Sequence, residues 1–177
     1  MTTKTTTNLE IDCAFRGEES NSTPTFETEL YYTLGVSQNL TSLNVTSSPL
    51  VNLSTSGICL LTLLRYLTLQ RNPLLTALPI DCLRRMTNLA IVDMNNNQIR
   101  EIPDGLFAGL QQLQKIVLDS NPVTFLGIRN LAIASDLKSL TSFEMSQNSL
   151  TFFEPWPVVR ARVIALQTFT AVLIQII

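Results

Sequence analysis

The chain contains no histidine in 177 residues. That removes the Ser-His-Asp triad, the histidine general base and imidazole ligation of a metal in one step. Charge is also scarce: Asp, Glu, Lys and Arg make up 15% of the chain and leave a formal net charge of −2. Nucleic-acid partners demand clustered Lys and Arg that displace counterions from phosphate. The twelve basic residues here are scattered, so no nucleic-acid partner is expected. Cysteine is limited to Cys13, Cys59 and Cys82, with no CxxC pair. A four-thiolate zinc site cannot be built from them, and neither a metal nor a cofactor is expected. No GxGxxG or P-loop pattern occurs. The opening MTTKTTTNLEIDCAF lacks the apolar core of roughly 7–15 residues that marks a secretory signal. Residues 163–177 are uncharged but fall short of the roughly 20 a membrane span needs, and Gln167 and Gln175 interrupt them.

What is present is a period. Apolar residues form 45% of the chain, enough for the core of one domain. Five segments align: LTSLNVTSSPL from Leu40, LRYLTLQRNPL from Leu64, LAIVDMNNNQI from Leu89, LQKIVLDSNPV from Leu113 and LTSFEMSQNSL from Leu140. Counted from Leu43, Leu67, Val92, Ile116 and Phe143, the intervals are 24, 25, 24 and 27 residues. Each segment reads as a short strand with alternate side chains inward, so Val92 and Met94 face a core while Ile91, Asp93 and Asn95 face out. The bend after such a strand brings backbone amides and carbonyls inside. An inward asparagine offers a donor and an acceptor to them, avoiding about 1–3 kcal/mol for each group left unpaired. Asn72, Asn97, Asn121 and Asn148 hold this position as a structural ladder. Ser48 replaces asparagine in the first copy, which should be the loosest because its reach is shorter. Asn95 and Asn96 face solvent and are free to bind.

These segments match the L-x-x-L-x-L-x-x-N-x-L pattern and the 20–29-residue period of leucine-rich repeats. IREIPDGLFAGLQQL, residues 99 to 113, with Leu78 and Pro79 one copy earlier, resembles the extracellular "typical" class found in Toll-like receptors and related animal adhesion or immune receptors. The resemblance covers residues 38 to 157. It implies an α/β leucine-rich-repeat solenoid: a curved parallel sheet on the concave face, with loops and short 3-10 or helical turns on the convex face. Residues 1–37 then form an N-terminal cap or leader, 38–157 five repeats, and 158–177 an apolar C-terminal segment. In that last segment Phe169 falls one period after Phe143, as a degenerate strand or cap, while position 174 holds Ile where asparagine is expected. One departure from the family is that its cysteine-rich cap has four cysteines, and only Cys13 lies in that region.

The resemblance also implies that a protein or other macromolecule binds the concave face. In register, that face comprises Tyr66, Thr68, Gln70, Ile91, Asp93, Asn95, Lys115, Val117, Asp119, Ser142, Glu144 and Ser146, with Ser42, Asn44 and Thr46 from the first copy. Arg71, Asn96, Ser120 and Gln147 complete its edge. Asp93, Asp119 and Glu144 give an acidic bias suited to basic or amide groups, anchored by Tyr66 and Ile91. Carboxylate pairs also serve glycosidases, but an open sheet offers no cleft. No catalytic residue is assigned.

Compartment is left with two readings. Asn-x-Ser/Thr tripeptides at Asn21, Asn39, Asn44 and Asn52 point to a secreted or cell-surface glycoprotein, part of a signalling receptor. The missing signal segment points to a cytosolic scaffold or regulatory subunit. A membrane is involved only if a span lies outside this chain or at its C-terminus. Cys59 and Cys82 occupy similar places on the convex side of neighbouring repeats, and they form either a disulfide or two buried thiols depending on compartment. Gly105 and Gly109 match GxxxG but lie in a polar, proline-containing context, so they are read as turn residues around a buried Phe107.

Overall fold

A computed structural model of the chain describes residues 7–12, 23–126, 137–153 and 168–170. Cys13, Phe15, Asn21, Leu166 and Ile174 lie outside the described residues, as does most of 158–177.

The strands in chain order are β1 (Asn8–Asp12), β2 (Ser42–Thr46), β3 (Tyr66–Thr68), β4 (Ile91–Asp93), β5 (Lys115–Val117), β6 (Phe125–Leu126), β7 (Ser142–Glu144), β8 (Phe152–Phe153) and β9 (Thr168–Thr170). Seven of them form one sheet in the order β1-β2-β3-β4-β5-β7-β9, every pair parallel. The remaining two, β6 and β8, pair separately. Parallel neighbours need a crossover of a dozen or more residues, which the rest of each turn supplies.

Register follows the apolar period. Leu43, Leu67, Val92, Ile116 and Phe143 stand opposite one another on successive strands, and none is more than 1% exposed. Val45, Leu69, Met94, Leu118 and Met145 form a second fully buried file one strand step later. Because each turn stacks only on its neighbours, these files are a continuous core rather than separate clusters.

The five aligned segments account for five strands, and the sheet has two more. At the C-terminal side Phe169 of β9 is in register with Phe143. At the N-terminal side β1 pairs with β2, Leu9 opposite Leu43 and Ile11 opposite Val45. Leu9 and Ile11 are half-buried and pack on the core. The alternation in NLEID carries that strand, outside the repeat pattern.

Helix α1 (Thr23–Gly35) packs against the first turn. Pro24 stands in its first turn, where the missing N–H costs nothing. Phe26, Leu30 and Leu34, four residues apart, lie on one face. Leu30 and Leu34 are buried, and Phe26 packs beside them. Glu27 fixes the helix to the first turn: Oε1 accepts the N–H of Val51 at 2.9 Å and of Asn52 at 2.7 Å, and Oε2 accepts the Thr55 hydroxyl. Gly57 has φ 81°, and a Cβ there would meet Tyr31 Cα at 3.0 Å. Glycine is what lets α1 approach the 3-10 turn Ile58–Leu60.

Each bend is built the same way. Ser47, Arg71, Asn96, Ser120 and Gln147 all have φ between 50° and 55°, a left-handed conformation costing a side-chain-bearing residue about 1–2 kcal/mol. Their N–H groups continue the ladder into the next turn, as Arg71 to the Asn95 carbonyl at 3.2 Å, Asn96 to Asp119 at 2.9 Å and Ser120 to Ser146 at 2.8 Å. One residue further lies the inward polar side chain. Asn72, Asn97, Asn121 and Asn148 are between 0 and 6% exposed. Asn97 Nδ2 donates to the carbonyls of Leu69 at 2.6 Å and Met94 at 2.7 Å, while its Oδ1 accepts the Asn72 N–H at 2.9 Å. Asn121 accepts Ile99 N–H and donates to Met94 and Leu118. Asn148 accepts Val123 N–H and donates to Leu118 and Met145. Each amide therefore ties its own turn to the preceding one. Ser48, fully buried, donates its N–H to Asn72 Oδ1 at 3.1 Å and its hydroxyl to the Thr46 carbonyl at 2.8 Å.

Opposite the sheet, the turns return through the 3-10 segment, the short helix α2 (Ile80–Leu83) and a turn over 104–109 that buries Phe107. Gly105 and Gly109 both have positive φ there. Cys59 and Cys82 are joined by a disulfide with Cα atoms 4.7 Å apart.

Candidate functional site

The face of the sheet turned away from the core is made of the residues between the inward files. In register, one row runs Ser42, Tyr66, Ile91, Lys115, Ser142, and the next Asn44, Thr68, Asp93, Val117, Glu144. Gln70, Asn95, Asp119 and Ser146 follow on the next row. The bends at Arg71, Asn96, Ser120 and Gln147 form its edge.

Exposure along these rows is uneven. Tyr66 is 47% exposed, the most accessible large apolar side chain of the sheet face. Ile91, Thr68, Asp93, Asn95, Asp119, Ser142, Glu144 and Ser146 are half-buried. Two assigned positions are not surface at all. Val117 is 4% exposed and Thr46 5%. Val117 is short, and it stands between Asp93 and Glu144 in register, while Lys115 Nζ reaches Glu144 Oε1 at 2.7 Å alongside it. Longer neighbours close over it, so it offers no contact to a partner. Thr46 lies beside Asp12 of the additional strand β1.

The polar groups are largely wired to one another. Gln70 Nε2 donates to Asp93 Oδ2 at 2.7 Å, and the Asn95 N–H donates to Asp93 Oδ1 at 3.1 Å. The Ser146 N–H donates to Asp119 Oδ1 at 2.6 Å. The Ser142 hydroxyl donates to Glu144 Oε1 at 2.9 Å, the oxygen that also meets Lys115. Ser120 Oγ donates to Gln147 Oε1 at 2.7 Å. Asn96 Nδ2 donates to Asn95 Oδ1 at 3.0 Å, so the two asparagines expected to be free are partly committed to each other. Among them Asn96 is the exposed one.

Electrostatics divide the carboxylates. Burial raises the Asp119 pKa above the ordinary range, opposed by the Ser146 N–H and assisted by the negative charges of Glu144 and Asp93. The hydrogen bond from Lys115 lowers that of Glu144, and the Ser142 hydroxyl adds to it. The Lys115 charge also opposes the rise at Asp119, though it comes last among the causes. Among the described residues no group of three or more His, Cys, Asp or Glu is placed to hold a metal ion. No described helix is long and apolar enough to cross a membrane.

The cross-row pairs Gln70 with Asp93 and Lys115 with Glu144 join positions 23 and 29 residues apart in the chain, and no local motif announces them. The nearest signal is the outward register itself, which puts opposite or complementary groups on adjacent strands.

Residues 62–123 match the family model described as "Leucine rich repeat". A search of curated protein sequences finds no match. Among solved structures, TLR13 in a complex with ssRNA13 is 26% identical with a TM-score of 0.59, over 66% of this chain and 16% of that one. The internalin InlF from Listeria monocytogenes is 22% identical with a TM-score of 0.57, over 84% of this chain and 38% of that one. The chain thus spans well under half of either protein, and the second likeness speaks for the fold. With a nearly constant repeat period, a parallel sheet gaining one strand per turn and the family match across its central turns, the chain has the fold of a leucine-rich-repeat solenoid and resembles a short stretch of the TLR13 chain.

Proposed function

We propose that the chain is a non-enzymatic recognition module that binds a protein on the concave sheet face across repeats two to five, outside the cell or at its surface. The observation that carries this reading is Tyr66, 47% exposed on the sheet face and in register with half-buried Ile91. Beside them lie Asp93, Asp119 and Glu144. An aromatic anchor ringed by polar groups is the usual composition of a binding patch. The acidic groups fit a partner presenting Lys, Arg or amide donors.

Two further observations support the setting. A disulfide between Cys59 and Cys82 fits an oxidising compartment. The acidic sheet face has the wrong sign for phosphate, although the TLR13 structure holds an ssRNA.

The test compares the chain with D93N/N95A/D119N on a panel of immobilised extracellular protein domains and on single-stranded RNA. Asp119→Asn keeps an oxygen for the Ser146 N–H and Asp93→Asn keeps one of the two oxygens that Gln70 and the Asn95 N–H use, and circular dichroism checks that the variant is folded. A protein ligand whose affinity falls at least about tenfold in the variant, a change of about 1.4 kcal/mol, supports the reading. Unchanged protein affinity, or binding to RNA alone, rejects it.

A further inference from the structure

Three Asn-x-Ser/Thr tripeptides fall on described residues, and their amides have different surroundings. Asn52 is exposed; its Oδ1 accepts the Ser54 N–H at 2.8 Å, folding the tripeptide into an Asx turn. Among the described residues its Nδ2 has no hydrogen-bond partner. Asn39 is exposed in the turn that follows α1. Asn44 lies inside the sheet between β1 and β3. Its Nδ2 donates to Glu10 Oε1 at 3.3 Å, and its Oδ1 is buried without any partner.

We propose that Asn39 and Asn52 accept N-linked glycans and that Asn44 does not, so carbohydrate flanks the cap while the sheet face stays bare. The inference rests on the extracellular half of the proposed function. In the transfer, Asn Nδ2 bonds to C1 of an oligosaccharide carried on a lipid diphosphate. The C1–O bond to the diphosphate breaks, the diphosphate leaves with the electron pair, and the amide gives up one proton. The product is a secondary amide, which holds its nitrogen substituent on the same side as the carbonyl oxygen, as a trans peptide bond does. At Asn44 that rule directs the sugar carbon toward an oxygen that is already fully enclosed. A sugar there must displace the groups that enclose that oxygen. At Asn39 and Asn52 the exposed side chains impose no such conflict.

The pattern also concerns the partner. A glycan on Asn44 would stand on the second outward row, next to Thr68. With Asn44 bare, a ligand reaching Tyr66 from the cap side meets only protein.

The 177-residue chain is secreted from an animal cell line behind a cleavable leader, and the folded soluble fraction is treated with peptide N-glycosidase in heavy-oxygen water. Mass spectrometry is expected to find the label at Asn39 and Asn52 and none at Asn44. The variant N21Q/N39Q/N52Q keeps Asn44 as its single tripeptide and should show no mobility shift on deglycosylation. Label at Asn44 in folded protein, a shift in that variant, or an unlabelled Asn39 or Asn52 overturns the proposal. Ligand binding by D93N/N95A/D119N is read separately, so failure of either idea leaves the other measurable.

Discussion

Asn97→Ala is the sharpest perturbation of the fold. The side chain is 2% exposed and makes three hydrogen bonds: to the Leu69 carbonyl at 2.6 Å, to the Met94 carbonyl at 2.7 Å and from the Asn72 N–H at 2.9 Å. Alanine removes all three and leaves their partners inside. A buried polar group stripped of its partner costs about 1–3 kcal/mol. Met94 lies at the low end, because its carbonyl keeps Asn121 Nδ2 at 2.9 Å. Leu69 and the Asn72 N–H bear the larger share. The sum is about 3–5 kcal/mol, a large part of the roughly 5–15 kcal/mol that holds a domain together. Urea denaturation followed by far-ultraviolet circular dichroism measures it, with Asn95→Ala as the half-buried control expected within about 0.5 kcal/mol of wild type. A loss below about 1 kcal/mol for Asn97→Ala would refute the claim that the amide ladder secures the bends. Because turns touch only their neighbours, a two-step transition is an acceptable outcome and places the weak point at the third turn.

Other expectations follow from single features. The double variant C59S/C82S opens a link across a sequence separation of 23 residues, and chain-entropy arguments give a loss of about 3.5 kcal/mol, checked by denaturation with and without reductant. Gly57→Ala introduces a Cβ at 3.0 Å from Tyr31 Cα and a side chain at φ 81°, so it should lower stability by at least about 1 kcal/mol; Gly109, with φ 80° and open space, should respond more mildly to the same change. For Asp119 the folded pKa is raised, so the stability it contributes is complete below the ordinary carboxyl range and is lost as pH rises through the folded value. Asp119→Asn is therefore expected to be more stable than wild type at neutral pH, with the difference closing on acidification, measured by thermal melts across pH. A gap that widens in acid would contradict the assigned cause.

Much of the architecture is legible in the sequence because one apolar period specifies it. Leu43, Leu67, Val92, Ile116 and Phe143 recur at nearly constant intervals, and a constant interval can stack only as turns of a solenoid. The strand β1 is not legible in that way, since Leu9 and Ile11 belong to a segment with no repeat and gain their place only from the edge of β2. The left-handed bends are hidden for another reason. Ser47, Arg71, Asn96, Ser120 and Gln147 share a conformation but no residue type, and the conformation is imposed by the ladder on either side. On the sheet face the register is visible but accessibility is not. Val117 alternates outward like Ile91, yet its exposure depends on how far Asp93, Glu144 and Lys115 extend across it. Pairing such as Gln70 with Asp93 is likewise a property of adjacent strands rather than of any segment.

The disulfide has a geometric effect on the molecule's shape. Parallel strands lie about 4.8 Å apart, and Cys59 and Cys82 hold their Cα atoms 4.7 Å apart on the opposite wall. The covalent clamp limits how far these two turns can separate on the side away from the sheet. With three cysteines in the chain no second such clamp can form within it, so the later turns are joined to one another by packing and hydrogen bonds alone.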